Sequence, residues 1–153
     1  MYIVKALLER KLVMVVDDEI DILDLFKEVL NLNGINARTF PNSEGAIEEF
    51  EENHSNYKLV ISDIRMSPIS GFEFIRKLRD IDPAVKVIFM TAFEIERDKL
   101  RELDTYEFFN KPIKMDNLVQ LVKKYVEWIK IMWFYLTYNS GCILLDFNSV
   151  LRL

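Results

Sequence analysis

The most constraining feature of this chain is a rhythm. Short, continuous apolar runs alternate with amphipathic stretches, and each strong run ends in a chemically active polar residue. Leu12–Val16 is continuous and rich in β-branched residues, as expected of a strand covered on both faces, and it runs into Asp17 and Asp18. Leu59–Ile61 leads through Ser62 to Asp63, Val85–Met90 leads to Thr91, and Tyr106–Phe109 leads through Asn110 to Lys111. Ile35–Phe40 alternates in the manner of a further strand.

Between the runs the period changes to that of a helix. Ile22, Leu25, Phe26, Val29 and Leu30 are spaced as one helical face that stops near Gly34. Ser43 can cap a helix bearing Ala46, Ile47 and Phe50, and Phe72, Ile75 and Leu78 mark another. A weaker helix is expected from Ile95 to Leu103, and Asp116 opens one carrying Leu118, Leu121, Val122 and Tyr125. Strand and helix in strict alternation give an α/β chain, (βα)5, with a parallel sheet and helices on both faces. Right-handed crossovers reduce the topologies chiefly to an open, doubly wound sheet.

In such a sheet all strand carboxyl ends lie on one edge, where open α/β folds place their ligands. Asp17, Asp18, Asp63, Thr91 and Lys111 are therefore expected to converge. Carboxylates held close together repel unless a cation or proton joins them. Oxygen-only ligands suit Mg²⁺, which keeps waters and leaves positions for phosphoryl oxygens. Lys111 adds a point charge for an anion and Thr91 a hydroxyl. This is the equipment of phosphoryl transfer. No phosphate-cradling glycine motif is present, so the acceptor is a group of the protein itself or a small substrate. A carboxylate can serve as a covalent acceptor.

Composition removes competing chemistries. One Cys and one His exclude a disulfide framework, a Cys-based zinc site and any site needing two imidazoles. His54 is read as a surface loop residue and Cys142 as an inert thiol. A net charge of −5 gives no basic face for nucleic acid, so no direct nucleic-acid binding is expected. Residues 1–11 form a short extension without the apolar core of a signal peptide, which makes the cytoplasm the expected location.

With these residues in view, a family resemblance emerges. Val15–Val16–Asp17–Asp18–Glu19, Ser62–Asp63–Ile64–Arg65–Met66, Met90–Thr91–Ala92 and Lys111–Pro112 together resemble the receiver domain of two-component response regulators. The likeness covers about residues 12–126. It implies a flavodoxin-like fold with strand order 2-1-3-4-5. It also implies that Asp63 accepts a phosphoryl group from the phosphohistidine of a sensor histidine kinase. Asp18 and Asp63 would ligate Mg²⁺ with the backbone carbonyl of Arg65, and Asp17 would hold metal waters. Thr91 and Lys111 would contact the phosphoryl group, and Ala92 would leave it accessible. Phe108 falls at the position of a switch aromatic, and the Lys111–Pro112 bond is expected to be cis. The switch would alter a surface for a downstream protein target, so the chain is not expected to be a turnover enzyme.

One departure lies in Arg65–Met66–Ser67–Pro68–Ile69–Ser70–Gly71, where Pro68 stands one position later than usual while Gly71 keeps its distance from Asp63. A changed loop path with unchanged chemistry is expected.

Two other functions use similar parts. An aspartate-nucleophile phosphatase of the haloacid-dehalogenase type requires a second Asp two positions after the first, and neither Asp17 nor Asp63 has one. A receiver fold used only for constitutive protein binding does not call for the full set of acids, Thr91 and Lys111.

Residues 127–153 form a hydrophobic tail. Ile129, Met132, Trp133 and Leu136 continue the helical phase of Leu121, Val122 and Tyr125. The uncharged run 131–145 is shorter than the roughly 20 residues needed to span a bilayer. Three readings stay open for the tail: packing on its own domain or in a homodimer, peripheral membrane contact, or an unselected terminus.

Overall fold

The structure, a computed structural model, describes residues 12–92 and 107–126. Strand β1 (Leu12–Val16) is followed by helix α1 (Ile20–Leu32), β2 (Asn36–Phe40), α2 (Ser43–Asn53), a 3₁₀ turn at His54–Asn56 and β3 (Tyr57–Asp63). Helix α3 (Gly71–Ile81), β4 (Lys86–Thr91) and β5 (Glu107–Asn110) come next. Helix α4 covers 115–126. The five strands form one parallel sheet in the order β2-β1-β3-β4-β5. This is the doubly wound order expected above. The expected helix from Ile95 to Leu103 and the 1–11 and 127–153 segments lie outside the described residues.

The period of two along each strand sorts side chains onto the two faces. Val13, Val15, Leu59, Ile61, Ile88 and Met90 face one way and meet Leu23, Phe26 and Leu30 of α1 and Leu118 and Val122 of α4. Met14, Val16, Val60, Val87 and Phe89 face the other way and meet Ala46 and Phe50 of α2 and Phe74, Ile75 and Leu78 of α3. Both faces are covered, which is why the strands read as continuous apolar runs. The register slips once, between Leu12↔Tyr57 and Val13↔Leu59, so Lys58 is unmatched on β1.

Helix termini follow local chemistry. Gly34, at φ 75, ends α1 in a left-handed conformation that costs glycine little. Asn42, not Ser43, caps α2: its side chain accepts the Gly45 N–H, while Ser43 is the first helical residue, with a buried hydroxyl that lacks a hydrogen-bond partner. The expected cap, Ser43, is thus displaced by one residue, because the extended backbone belongs to Asn42. Ser70 caps α3 by accepting the Glu73 N–H. Helix α4 begins one residue before Asp116. His54 is half-buried rather than a free surface residue, its ring centroid 6.0 Å from that of Phe50.

Candidate functional site

The register carries the polar residues to one edge. Val16 pairs with Ser62, Asp63 with Met90, and Thr91 with Asn110. Asp17, Asp63, Thr91 and Lys111 thus lie within a residue of one another along four adjacent strands. The Lys111 N–H donates to the Thr91 carbonyl at 2.7 Å, which extends the β4–β5 ladder past its last pair and fixes the lysine backbone.

One carboxylate oxygen from each of Asp17, Asp18 and Asp63 lies within 4.8 Å of the others. Asp17 is fully buried, Asp63 nearly so, and Asp18 is exposed. Lys111 Nζ donates to Asp17 Oδ2 at 2.7 Å and to Glu19 Oε1 at 3.1 Å, and it lies 3.6 Å from Asp63 Oδ2. The other oxygen of Asp17 accepts the Glu19 N–H at 2.9 Å, so the turn into α1 holds the Asp17 carboxylate in place.

Burial raises the pKa of Asp63 above its ordinary value, and the charges of Asp17 and Asp18 add to the rise; Lys111 and the Ile64 N–H oppose it. Burial works against the Lys111 ammonium, yet its hydrogen bonds to Asp17 and Glu19 and the charges of Asp17 and Asp63 outweigh that and raise its pKa. The edge therefore carries more negative charge than Lys111 compensates. Three clustered carboxylates, one open to solvent, fit a hard divalent cation with oxygen ligands and retained waters.

The loop from Asp63 to α3 turns tightly. The Gly71 N–H donates to the Ile64 carbonyl at 2.8 Å, and a Cβ at Gly71 would stand 2.1 Å from the Asp63 carbonyl oxygen. This position admits only glycine, which gives the spacing between Asp63 and Gly71 its physical reason. The loop contains a cis Ser67–Pro68 bond, and the Lys111–Pro112 bond is cis as expected. Phe108 is half-buried, 6.2 Å from Phe89, which in turn meets Phe72 of α3 edge-on at 5.1 Å. Thr91 is buried at the end of β4, while Arg65 and Ala92 are exposed beside the site.

Asp17, Asp18, Asp63, Thr91 and Lys111 thus meet at this edge, with Arg65 next in the loop, whereas Phe108 lies within β5, packed on Phe89. Glu19 is the one that sequence reasoning left without a role. Its signal was its place as a third acid after Asp17 and Asp18, but only the structure shows that it reaches Lys111.

The response regulator receiver domain model matches residues 13–123. The chain belongs to this family. Sporulation initiation phosphotransferase F of Bacillus subtilis is 29% identical over 116 residues, which span 74% of this chain and 92% of that protein. The solved receiver TrrA of Thermotoga maritima, in complex with Mg(2+)-BeF, is 38% identical, with a TM-score of 0.67 over 74% of this chain and 97% of that one. The transcriptional regulatory protein ZraR of Escherichia coli is 27% identical over 114 residues, 73% of this chain but only 25% of that protein. Phosphorylation of an aspartate and Mg²⁺ binding are typical of the family, which sets aside the dehalogenase-type alternative. Among the described residues no helix is long and apolar enough to cross a membrane.

Proposed function

We propose that residues 12–126 act as a phosphorylation switch, with Asp63 as the phosphoacceptor and a histidine kinase as the donor. The observation that carries this reading is the Asp63 carboxylate, 3.6 Å from Lys111 Nζ and grouped with Asp17 and Asp18 at the carboxyl edge of the sheet. An Asp63 oxygen attacks the phosphorus of a phosphohistidine; the P–N bond breaks, and its electron pair leaves with the imidazole, which takes a proton. Asp63 then carries an acyl phosphate. Lys111 pairs with the new negative charge, and the Thr91 hydroxyl donates to it. Asp18 and Asp63, with the Arg65 carbonyl, would hold Mg²⁺, and Asp17 would hold its waters; when bound, the ion supplies charge neutralisation at this edge.

The chain turns over no external substrate on this reading: the acyl phosphate is the signal. Phe108, packed on Phe89, is the aromatic whose rotation would report it to a downstream protein target. A ligand shifts such an equilibrium only through contacts that differ between the states, and Thr91 and Lys111 make those contacts.

Incubation with Mg²⁺ and acetyl phosphate should add one phosphoryl group by intact mass. The adduct should be labile to hydroxylamine and absent from Asp63→Asn. Full labelling of that variant would overturn the assignment.

A further inference from the structure

Glu19 stands at the N-cap of α1 without capping it. Its backbone is extended, and its carbonyl accepts the Ile22 and Leu23 N–H groups at 3.1 and 3.2 Å. Its side chain makes no capping bond to the first turn of the helix. The N-cap position favours short oxygen-bearing side chains, Asn, Asp, Ser and Thr, and glutamate is not among them. The Glu19 carboxylate reaches across the site instead and accepts from Lys111 Nζ at 3.1 Å.

The lysine has three N–H donors. One is bonded to Asp17 Oδ2 at 2.7 Å and one to Glu19, both on the chain that leaves β1. Asp63 Oδ2, at 3.6 Å, is beyond hydrogen-bond distance. Lys111 is thus bonded to the β1 side of the site rather than to the carboxylate that takes the phosphoryl group.

The two bonded acids differ in how readily they give the lysine up. Asp17 is fully buried, and its second oxygen is occupied by the Glu19 N–H. The Glu19 side chain is 61% exposed, so water replaces the lysine there at little cost. The Lys111 backbone is fixed by the Thr91 carbonyl, which leaves its four-carbon stem to make the movement. Of the two bonds, the one to Glu19 is the one that yields.

We propose that Glu19 is a positioning residue that acts through Lys111: it holds one ammonium donor while Asp63 is unmodified and releases it when Asp63 carries a phosphoryl group, so its carboxylate opposes phosphorylation. The inference rests on Asp63 as the phosphoacceptor. The opposition has two parts of the same sign. Glu19 occupies a donor that the phosphoryl oxygens need, and its charge stands beside a site that must admit an anion.

Glu19→Gln keeps the length of the side chain and removes its charge. With Mg²⁺ saturating, acetyl phosphate should label this variant faster than the unsubstituted chain by about two- to fivefold, the scale of an exposed ion pair. In that reaction an Asp63 oxygen bonds to phosphorus while the bond from phosphorus to the acetyl oxygen breaks, and acetate leaves with the electron pair. Beryllium fluoride, which involves no turnover, should bind the variant tighter by the same factor, read from the bound fluoride signals by NMR. Asp21→Asn removes an equal charge from the first turn of α1 and should change neither quantity. An equal gain in Asp21→Asn would reduce the effect to general charge and overturn the proposal. So would a tenfold loss of Mg²⁺ affinity with slower labelling in Glu19→Gln, which would assign Glu19 to the ion. Normal labelling of the unsubstituted chain, with no gain in Glu19→Gln, would overturn this proposal alone. Absence of both labelling and beryllium fluoride binding in the unsubstituted chain would end the phosphoacceptor reading and this one with it.

Discussion

Gly71 shows how one residue governs a site it does not enter chemically. A methyl group there would lie 2.1 Å from the Asp63 carbonyl oxygen and 2.9 Å from the Ile64 Cα. Both are backbone atoms, and one belongs to the proposed phosphoacceptor, so neither can step aside cheaply. Gly71→Ala should destabilise the protein by at least about 1–3 kcal/mol, the usual cost of overpacking. It should also slow acetyl phosphate labelling, because any relief of the clash moves Asp63. Denaturant melts and intact-mass time courses check the two effects. A variant with unchanged stability would mean that the loop relaxes without involving Asp63. The spacing of Asp63 and Gly71 was legible in the sequence as a pattern, but its cause was not, since a close approach between backbones leaves no mark on residue type. Glu19 was hidden for a related reason. An acid at the start of a helix is expected there anyway, and its reach to Lys111 depends on the order of the sheet, in which β3 and β4 separate β1 from β5.

At the scale of elements, β2, α2 and β3 are joined by a polar chain that runs from the buried Tyr57 to the exposed Arg38. The Tyr57 hydroxyl donates to Glu49 Oε1 at 2.8 Å, and Arg38 pairs with the same oxygen. Tyr57 is fully buried, and burial, aided by Glu49, pushes its pKa up to about 12. An unfolded tyrosine titrates near 10. Between those values the unfolded chain releases a proton that the folded protein keeps, so stability falls as pH rises through the window; below it this group has no effect. Tyr57→Phe should cost about 1 kcal/mol at neutral pH for the lost hydrogen bond and should flatten the decline above pH 10. Urea melts at several pH values test this, and an equally steep decline in the variant would exclude Tyr57 as its source. The elements themselves were largely legible, because strands buried on both faces produce unbroken apolar runs and helices produce the longer period. The boundaries were not. The apolar run of β3 is read from Leu59, yet the strand begins at Tyr57, where the aromatic packs against Phe50 with ring centroids 6.0 Å apart. Asn42 and Ser43 are both good caps, and sequence alone does not choose between neighbours of equal propensity.

For the whole molecule, the fold concentrates negative charge at one edge of a sheet whose two faces are otherwise sealed. Asp17, Asp18 and Asp63 gather from two strand ends with Lys111 among them. The upward pKa shift of Asp63, caused first by burial and then by its acidic neighbours, shows that its ionised form is held against resistance. Folding without a divalent cation therefore carries an electrostatic cost that the unfolded chain, with these carboxylates apart, avoids. Two consequences follow for thermal melts. Mg²⁺ in hundredfold excess over its Kd should stabilise the protein by about 2.7 kcal/mol, a rise in Tm on the order of 10 °C. Asp18→Asn should raise the Tm in chelator, since it removes an exposed like charge from the cluster, yet it should lose most of the Mg²⁺-dependent rise. Function and stability then pull in opposite directions at one residue, the pattern expected where a site is kept for its chemistry at the expense of the fold. A variant that is no more stable in chelator and still gains the full rise with Mg²⁺ would place the ion away from Asp18 and leave Asp63 to meet it through other ligands.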